Sequence, residues 1–583
     1  MLSHSGESKF KHHKKDRRKA VRAIIQIAAL AFLSVIIIRS VFITDTFDPL
    51  SEDKMINSEG FIALSYFGVD RSGSPKYISK DEIRKQLTTL KEQGFETISQ
   101  QQIIDFYQKG KPLPEKALFL SFEDGRNDSS IFSQRTLEKL NYKATMFTYA
   151  DKMSTKDTKF LKPNHLSQMI KSGYWELGSN GYRLTYINVF NHKGQYLGDI
   201  EENKVPNKTS IEYYNHYLMD FLRDEYMIPK ETRAEMEKRI SSDYRLMNSI
   251  YKKHFGKMPK AYAIMHANSL YNDMHPSVES VNEKMIKENF AIHFNRELNS
   301  YNSKEDNIYN LKRLQVAPYW PTNHLLMKIQ NDSKKSLDFV PGDKKTSSRW
   351  TVTNGVGEFD QDKIILTSKP GEEVRAALNE GLPSSFTASF DLKGNVMGKQ
   401  TVYIQGAGQE YVKLALEKNK LFAYHKKKQE AEKLIFSQHL KEIKWSGEDY
   451  AFNKATNYDY LDTQEGSRIH KDEYPSTLKN DHHLILTLDK TSLKVEINNQ
   501  SLPSIDLPFG NSSYSLILGG SNIAQQTVHE AYSDNIYDSI IEDVTIQTEG
   551  KNVYTVSGSR IETLLREISK IGSNVVDFFI DTF

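Results

Sequence analysis

The chain has 583 residues, which is too long for a single hydrophobic core and predicts two or three domains. Its formal net charge of +3 gives no electrostatic basis for a nucleic-acid partner. The sequence has no cysteine, which excludes disulfides, thiol nucleophiles and cysteine-ligated zinc sites.

The N-terminus predicts a membrane anchor. Residues 1–22 form a basic tail rich in Lys and Arg, and 23–43 carry no charge except Arg39. About 20 apolar residues suffice to cross a bilayer as a helix, with Arg39 reaching the interface. The basic tail favours a cytoplasmic N-terminus, so we expect a single-pass protein of the cell membrane whose bulk is extracellular. A cleaved signal peptide is the alternative, although a small-x-small cleavage pattern is missing.

Helices and strands alternate over 60–330. Ser79 and Ser99 each begin a capping-box pattern that predicts a helix N-terminus. The elements predicted next are strand 117–122, helix 129–140, strand 143–149 and helix 163–171. This alternation predicts parallel βα units, arranged as a mostly parallel sheet or an incomplete barrel.

A long charged insertion follows over 190–245. Within and just beyond it, 210–224 and 229–253 show helical patterns. The insertion is either a lid over a cleft or a surface decoration.

Two acids stand at the end of the apolar run 117–122. Glu123 and Asp124 follow the run directly and precede Gly125. Strands that deliver acids at their carboxyl ends build the active sites of α/β sheets and barrels. A glycine at this point allows the backbone to turn sharply toward a cleft. The alternative is a structural turn whose acids bind the next backbone amides.

The sequence Ser-Phe-Glu-Asp-Gly at 121–125 resembles the Thr-Phe-Asp-Asp-Gly signature of NodB-type polysaccharide deacetylases. Gly-Tyr-Trp-Glu-Leu-Gly-Ser-Asn at 173–180 resembles the family's Gly-His-Glu-Ile-Gly-Ser-His segment, and 311–316 resembles its last Leu-x-Arg-x-x-Val strand. The likeness covers 60–330 and is similar in order to the poly-N-acetylglucosamine deacetylase branch. It implies an incomplete (β/α) barrel that removes acetyl groups from a glycan.

The resemblance also implies a divalent metal, with Asp124 as a ligand and Glu123 as general base where the family has Asp. The family's two His ligand positions hold Asn180 and Leu184 here. Leucine cannot ligate a metal, and an amide oxygen is a poor ligand for a zinc-like ion. The residues present would therefore hold such a metal poorly.

Further candidates surround these motifs. His266 stands near the position of the family's oxyanion donors and is a catalytic candidate, while Glu176 is expected to be structural. Arg126 is expected to pair with Asp124. The residues predicted to bind sugar hydroxyls and amides are Arg126, Asn180, Tyr182 and Arg183. A two-carboxylate glycosidase, with Glu123 opposite Glu176 or Asp199, is an alternative.

Two weaker candidates lie later in this region. His324 is a second possible hydrogen-bond donor, and the pair Tyr319-Trp320 is either a sugar-stacking platform or core.

Beyond this region, 344–548 shows short alternating strands separated by Gly, Asn and Asp turns, which predict an antiparallel β-sandwich. The pattern weakly resembles laminin-G and concanavalin-type sandwiches, which either bind glycans or brace a neighbour. The tail 559–583 predicts an amphipathic helix.

Two functions compete. The first is a membrane-anchored polysaccharide deacetylase-like protein that hydrolyses acetyl groups of a cell-surface or extracellular N-acetylated glycan. The second is a catalytically inactive protein that binds the glycan or assists its export. Both predict a polysaccharide partner and a membrane contact through the N-terminal helix, and glycan-export machinery is a candidate partner.

Overall fold

The computed structural model divides into two units, one of residues 1–46 with 559–583 and one of residues 47–558. The structure describes residues 19, 21–24, 26–27, 46–191, 193–201, 204, 211–264, 270–271, 274–296, 299–360, 362–395, 398–406, 410–417, 419–441, 478–507, 513–523, 534–549 and 551–556.

In the first unit, the described residues are Thr46, which is not helical, and a few helical residues between 19 and 27. Across the described part of the chain, no helix has the length and apolar character needed to span a membrane. The predicted transmembrane segment 23–43 lies mostly outside the described residues, and the predicted tail helix 559–583 lies entirely outside them.

The first half of the larger unit alternates strands with helices, as the sequence predicts. The strands are β1 (Met55–Asn57), β2 (Gly60–Tyr66), β3 (Val69–Asp70), β4 (Ile78–Ser79), β5 (Phe95–Thr97), β6 (Leu113–Pro114), β7 (Lys116–Phe122), β8 (Ala144–Tyr149), β9 (Trp175–Gly181), β10 (Thr185–Asn191), β11 (Tyr196–Glu201), β12 (Ile211–His216), β13 (Ala261–Ala263), β14 (Ile292–Arg296), β15 (Tyr301–Ser303), β16 (Leu311–Lys312) and β17 (Leu314–Gln315). The α-helices of the larger unit are α1 (Lys80–Glu92), α2 (Gln100–Lys109), α3 (Asn127–Leu140), α4 (Pro163–Ser172), α5 (Arg233–Phe255), α6 (Pro276–Asn289), α7 (Thr322–Ser333) and α8 (Lys344–Ser347).

The central sheet is a nearly closed barrel. Its strands follow the order β15-β2-β7-β8-β9-β13-β14-β16, and all neighbours except the pair β15–β2 are parallel. The last strand closes the gap, because β16 pairs with β14 while β17 pairs with β2 at the other end of the order. Parallel strands bring their carboxyl ends to one edge, and that edge carries the predicted site.

The barrel interior is apolar in its lower part and polar near the carboxyl ends of the strands. Alternate residues of the strands form an apolar layer, which includes Phe61, Phe119, Phe147 and Phe294. The opposite faces of the same strands, for example Leu64 and Leu120, pack in the larger core that includes the helices. The apolar layer closes the lower barrel, so polar groups can meet only near the carboxyl ends of the strands.

Local sequence signals account for the helix termini. The Ser99 side chain accepts from the Gln102 amide and the Gln102 side chain binds back to Ser99, which completes the predicted capping box. Helix α2 ends at Gly110, whose φ of 63° is the left-handed conformation that glycine adopts without strain.

The insertion differs from the prediction. The segment predicted as a helix over 210–224 instead contains strand β12, which pairs with β10 in a small antiparallel sheet of order β11-β10-β12. Its residues Tyr213 and Tyr214 favour extended structure, and pairing with β10 decides the outcome. The second predicted helix is present as α5, Arg233–Phe255.

The second half is all-β. Its strands are β18 (Trp350–Thr353), β19 (Gly355–Phe359), β20 (Lys363–Ser368), β21 (Val374–Leu378), β22 (Ser385–Lys393), β23 (Gly398–Gln405), β24 (Tyr411–Glu417), β25 (Lys420–Lys426), β26 (Lys433–His439), β27 (His482–Asp489), β28 (Ser492–Ile497), β29 (Gln500–Ser501), β30 (Ile505–Asp506), β31 (Ser515–Asn522), β32 (Asp538–Thr548) and β33 (Lys551–Val556). They form a seven-stranded and a nine-stranded sheet whose inner residues share one core. The predicted antiparallel two-sheet architecture is therefore present, and the likeness to laminin-G sandwiches stays a prediction.

A buried charge cluster joins the two halves. The His324 ring in α7 lies between Asp538 (Nδ1 to Oδ2, 2.6 Å) and Asp534 (Nε2 to Oδ2, 2.7 Å), and it stacks on Trp320 at 4.2 Å. Burial acts to lower the pKa of His324, but the two carboxylates outweigh it and raise this pKa to about 10. His324 is therefore a cation that links barrel to sandwich.

Candidate functional site

The predicted acid pair lies at the carboxyl edge of the barrel, in a sharp turn after β7. Asp124 and Gly125 have φ of 63° and 62°, both left-handed. A Cβ atom added to Gly125 would lie 2.7 Å from Cγ2 of Thr148, so a larger residue would collide with β8. The turn sends the two acids in different directions, and Glu123 points into the barrel.

Inside the barrel, Glu123 is surrounded by hydrogen-bond donors. Arg313 Nε donates to its Oε1 at 2.8 Å, Ser65 Oγ donates to the same oxygen at 2.5 Å, and Asn180 Nδ2 donates to Oε2 at 2.8 Å. The side chains of Glu123 and Arg313 are both 1% exposed. Glu123 is therefore a charge-neutralised carboxylate inside a closed network.

Arg313 holds this network through its place in the chain. It lies between β16 and β17, where the last strand closes the barrel, and its Nη2 also donates to the carbonyl of Ile264 at 2.9 Å. Arg313 lies in the family-like segment 311–316 but was not among the predicted site residues. The Leu-x-Arg-x-x-Val pattern of that segment was the available signal.

Asn180 has its amide orientation fixed by three bonds. Besides Glu123, its Nδ2 donates to the carbonyl of Ala263 at 3.1 Å, and its Oδ1 accepts from the Asp124 backbone amide at 3.2 Å. It thus joins the acid pair to β13 as a structural bridge, and the predicted role of Asn180 in sugar binding stays a prediction.

The second His position of the family is apolar. Leu184 is buried in a cluster with Tyr149, Tyr186 and Tyr214 beside the small insertion sheet. Leu184 lies in this cluster and Asn180 is occupied, so among the three family ligand positions only Asp124 offers a carboxylate. Among the described residues, no group of three or more His, Cys, Asp or Glu could hold a metal ion. The donor set does not fit the metal that the family resemblance implies.

Two further predictions have different outcomes. Arg126 places its guanidinium 4.3 Å from the ring centre of Tyr77. Among the described residues no ion pair joins Arg126 to Asp124, so the expected fixed pairing is not observed, and a buried ion pair at this edge joins Glu123 to Arg313. His266, the third catalytic candidate, lies outside the described residues.

Tyr182 and Arg183 belong to a second charged cluster at the same edge. Arg183 Nε donates to Asp243 Oδ1 at 3.0 Å, and its guanidinium lies 4.3 Å from the ring centre of Tyr217. The backbone amide of Asp151 donates to the Tyr182 carbonyl at 2.9 Å. Arg183 keeps part of its side chain in solvent (35% exposed), so a ligand can reach it.

Two acids in this cluster were missed by the sequence analysis. Burial raises the pKa of both Asp151 and Asp243 to about 6, with Arg183 acting in the opposite direction. Oδ1 of Asp151 is buried and accepts no hydrogen bond from any described residue. Asp151 lies just after β8, and an acid following the next strand of the barrel was the signal that could have found it.

The remaining candidates are structural. Glu176 accepts from the Gln100 backbone amide at 2.7 Å, at the start of α2, as expected. It lies near the amino end of β9, whereas Glu123 follows the carboxyl end of β7, so the two cannot form a glycosidase pair. Trp320 is buried against His324, so it belongs to the core and not to a sugar-stacking surface.

Part of the barrel half of the chain matches a known protein family. The family described as polysaccharide deacetylase matches residues 110–274, which include the acid turn, Asn180 and the acidic cluster. These residues are a polysaccharide deacetylase domain. This confirms the family predicted from the motifs at 121–125 and 173–180.

Two curated proteins are similar to part of this chain. The poly-beta-1,6-N-acetyl-D-glucosamine N-deacetylase of Escherichia coli O157:H7 is 24% identical over 238 residues, which cover 39% of this chain and 34% of that protein. The protein of the same name from Escherichia coli strain K12 is 26% identical over 190 residues, or 32% of this chain and 27% of that protein. The chain therefore spans about a third of the length of the curated relatives it matches.

Solved structures of similar proteins each match a little under half of the chain. A de-N-acetylase from Aggregatibacter actinomycetemcomitans has a TM-score of 0.36 and 19% identity, and the match covers 46% of this chain and 98% of that one. IcaB from Ammonifex degensii has a TM-score of 0.32 and 18% identity, covering 45% of this chain and 94% of that one.

Proposed function

We propose that this protein binds an N-acetylated polysaccharide at the carboxyl edge of its deacetylase domain, without the metal-dependent hydrolysis that the family resemblance implies. One observation carries the proposal. Both oxygens of Glu123 are engaged by buried donors, one of which is the Arg313 guanidinium.

A general base must accept a proton from a water molecule within hydrogen-bond reach. If Glu123 accepted that proton, the Arg313 charge would remain buried without a counter-ion. Breaking a buried pair in this way is costly, on the order of 3–5 kcal/mol. Glu123 is therefore better suited to hold Arg313 than to act as a general base, and the metal position lacks its imidazoles.

The same edge retains groups that suit a glycan. Arg183 is partly exposed beside Tyr217, and the unpartnered oxygen of Asp151 lies next to Tyr182. Sugar hydroxyls and acetamido groups both donate and accept hydrogen bonds, and a pyranose ring packs on an aromatic face. The two curated relatives are named for poly-beta-1,6-N-acetyl-D-glucosamine, which makes N-acetylglucosamine oligomers the first probe.

We further propose that the protein is anchored in the cell membrane by residues 23–43, with the deacetylase domain and the sandwich outside the cell. The basic tail 1–22 and the nearly uncharged run after it support this orientation. Protease added to intact cells should then digest the region 60–556. Protection of that region until the cells are lysed would contradict the anchor and its orientation. Glycan-export machinery in the same membrane is the partner class that this placement favours.

Calorimetry with N-acetylglucosamine hexamers tests the binding site. The Arg183→Gln variant should bind these hexamers about tenfold more weakly, because a charge-assisted contact at the edge is lost. Arg245→Ala is the matched control, since Arg245 is an exposed arginine of α5, the helix that also carries Asp243. Equal affinities of the wild-type protein and Arg183→Gln would contradict the proposed site.

A further inference from the structure

The outer face of the seven-stranded sheet carries an ordered cluster of aromatic and charged side chains. Along β23, β24 and β25, residues such as Val402, Val412 and Ala423 point into the sandwich core. Alternation along a strand places their neighbours on the opposite, outer face. We call the outer cluster of Glu373, Arg375, Thr401, Tyr403, Tyr411, Lys413, Tyr424 and Glu432 the tyrosine platform.

Strand register brings the platform together. Tyr403 of β23 is opposite Lys413 of β24, which in turn is opposite Tyr424 of β25. Tyr411 lies one row further along β24, opposite Gln405. Residues directly opposite on one face are close enough for side-chain contact.

The aromatic rings and cations of the platform are in contact. The Arg375 guanidinium lies 4.7 Å from the Tyr403 ring centre, and Lys413 Nζ lies 4.4 Å from that of Tyr424. Tyr403 and Tyr411 meet edge to face at 5.2 Å. These distances are typical of cation–π and aromatic pairs, so the rings are fixed in position.

Hydrogen bonds fix the polar ends of the same side chains. Glu373 accepts from Thr401 Oγ1 at 2.7 Å and from the Tyr403 hydroxyl at 2.8 Å, and it also pairs with Arg375 at 2.6 Å. Glu432 accepts from the Tyr411 hydroxyl at 2.8 Å and from Lys413 at 2.5 Å. Burial acts to raise the pKa of Glu373, but the hydrogen bonds from Thr401 and Arg375 hold this pKa below its usual range.

A glycine allows this arrangement. Gly519 of β31 lies opposite both Arg375 and Thr401, on the strand between them. A Cβ atom at Gly519 would lie 2.7 Å from Thr401 Oγ1 and 3.6 Å from Cγ of Arg375. Its absence lets the Arg375 side chain cross the strand and reach Tyr403.

The platform is organised but accessible. Tyr403 is buried (2% exposed), whereas Tyr411 and Tyr424 are half-buried and 43% of the Arg375 side chain remains in solvent. Its two carboxylates are matched by Arg375 and Lys413, and Lys426 adds a further cation 6.0 Å from the Tyr411 ring. The platform therefore does not attract a cationic polymer, while its rings and paired polar groups suit ligands rich in hydroxyl groups.

We propose that the tyrosine platform is a second carbohydrate site, which binds an uncharged, N-acetylated polysaccharide strand and rejects its de-N-acetylated, cationic form. Pyranose rings pack on the exposed faces of Tyr411 and Tyr424, and their hydroxyl and acetamido groups bond to the edges of the Glu373–Arg375 and Glu432–Lys413 pairs. The platform lies in the sandwich, outside the deacetylase domain, and its binding does not depend on the barrel site.

Calorimetry on the full chain tests this proposal with two probes, N-acetylglucosamine hexamers and glucosamine hexamers. The measurements are made in the Arg183→Gln background, so that a loss at the barrel edge is not mistaken for a loss at the platform. The combined change Tyr411→Ala and Tyr424→Ala should weaken binding of N-acetylglucosamine hexamers at least fivefold, since each removed ring contributes stacking contacts. Changing both tyrosines to Phe keeps the rings and should retain most of the affinity.

The control is Tyr226→Ala, which removes an exposed tyrosine of the barrel half. Circular dichroism checks that each variant is folded, and the single change Tyr424→Ala serves as the test if the Ala pair is not. Tighter binding of N-acetylglucosamine than of glucosamine hexamers, lost in the Ala pair and largely retained in the Phe pair, supports the platform. Absence of binding in the Arg183→Gln background, equal binding of both probes, or unchanged binding in the folded Ala variant would overturn it.

Discussion

Two buried carboxylates at the same edge of the barrel have opposite environments. Glu123 receives bonds from Arg313, Ser65 and Asn180, whereas Oδ1 of Asp151 is buried without a donor among the described residues. Glu123, the acid in the family-like motif, is paired with the Arg313 cation. Asp151, the acid after the neighbouring strand, has its pKa raised by burial to about 6. The motif thus marks the place of the site, but the surroundings of each carboxylate decide its reactivity.

The largest expected effect comes from removing the partner of Glu123. Arg313→Met should lower the free energy of unfolding by about 3–5 kcal/mol, because it leaves a buried carboxylate without its cation. Combining Arg313→Met with Glu123→Gln should recover part of this loss, since no buried charge then remains. Denaturant unfolding of both variants measures the difference. A double variant no more stable than Arg313→Met would contradict the view of Glu123 as a neutralised charge.

The buried charge cluster around His324 predicts that the stability of the protein depends on pH. The pKa of His324 is raised to about 10, above that of an unfolded-state histidine near 6.5, so its contribution to stability is complete below pH 6.5. The contribution declines as the pH rises further and is absent once the pH has passed about 10. His324→Gln should cost about 3 kcal/mol at pH 6 and much less at pH 10. Thermal unfolding at both pH values measures this loss of stability. A loss that is the same at both pH values would contradict the view of His324 as a charged link between barrel and sandwich.

A smaller effect of opposite sign is expected at Asp151. Its pKa is raised to about 6, above the unfolded value near 3.8, so ionisation destabilises the fold as the pH rises through that interval. Asp151→Asn should therefore raise the free energy of unfolding at pH 7.5 by about 1 kcal/mol, which corresponds to a few degrees in melting temperature. At pH 3.5 the melting temperature should be unchanged. Asp199→Asn, at an exposed acid of β11, is the control. A gain of equal size at both pH values would contradict the raised pKa.

Much of the fold could be predicted from local signals. The strand predicted over 117–122 lies within β7, and the Ser99 capping box forms as expected, because both signals depend on neighbouring residues. Strand Lys420–Lys426 was missed although it pairs with β24 along its whole length. The helix predicted over 210–224 is wrong, since pairing with β10 favours a strand.

The site was less predictable because its contacts are distant in sequence. Arg313 and Glu123 are separated by 190 positions, and their pairing depends on closure of the barrel. Asp151 and Asp243 come together across β8 and α5, which no local pattern indicates. The presence of Asn180 and Leu184 at the family's two His positions is a matter of residue identity, so it did not depend on such distant contacts.

Release of acetate from N-acetylglucosamine hexamers, measured with and without added zinc or cobalt, tests the central claim most directly. With Glu123 neutralised and Leu184 buried at the position of a metal ligand, the wild-type protein should release no acetate above the rate without protein, while calorimetry still detects the hexamers. Acetate release by the wild-type protein that disappears in Glu123→Gln would contradict the account and show that the deacetylase domain retains its general base.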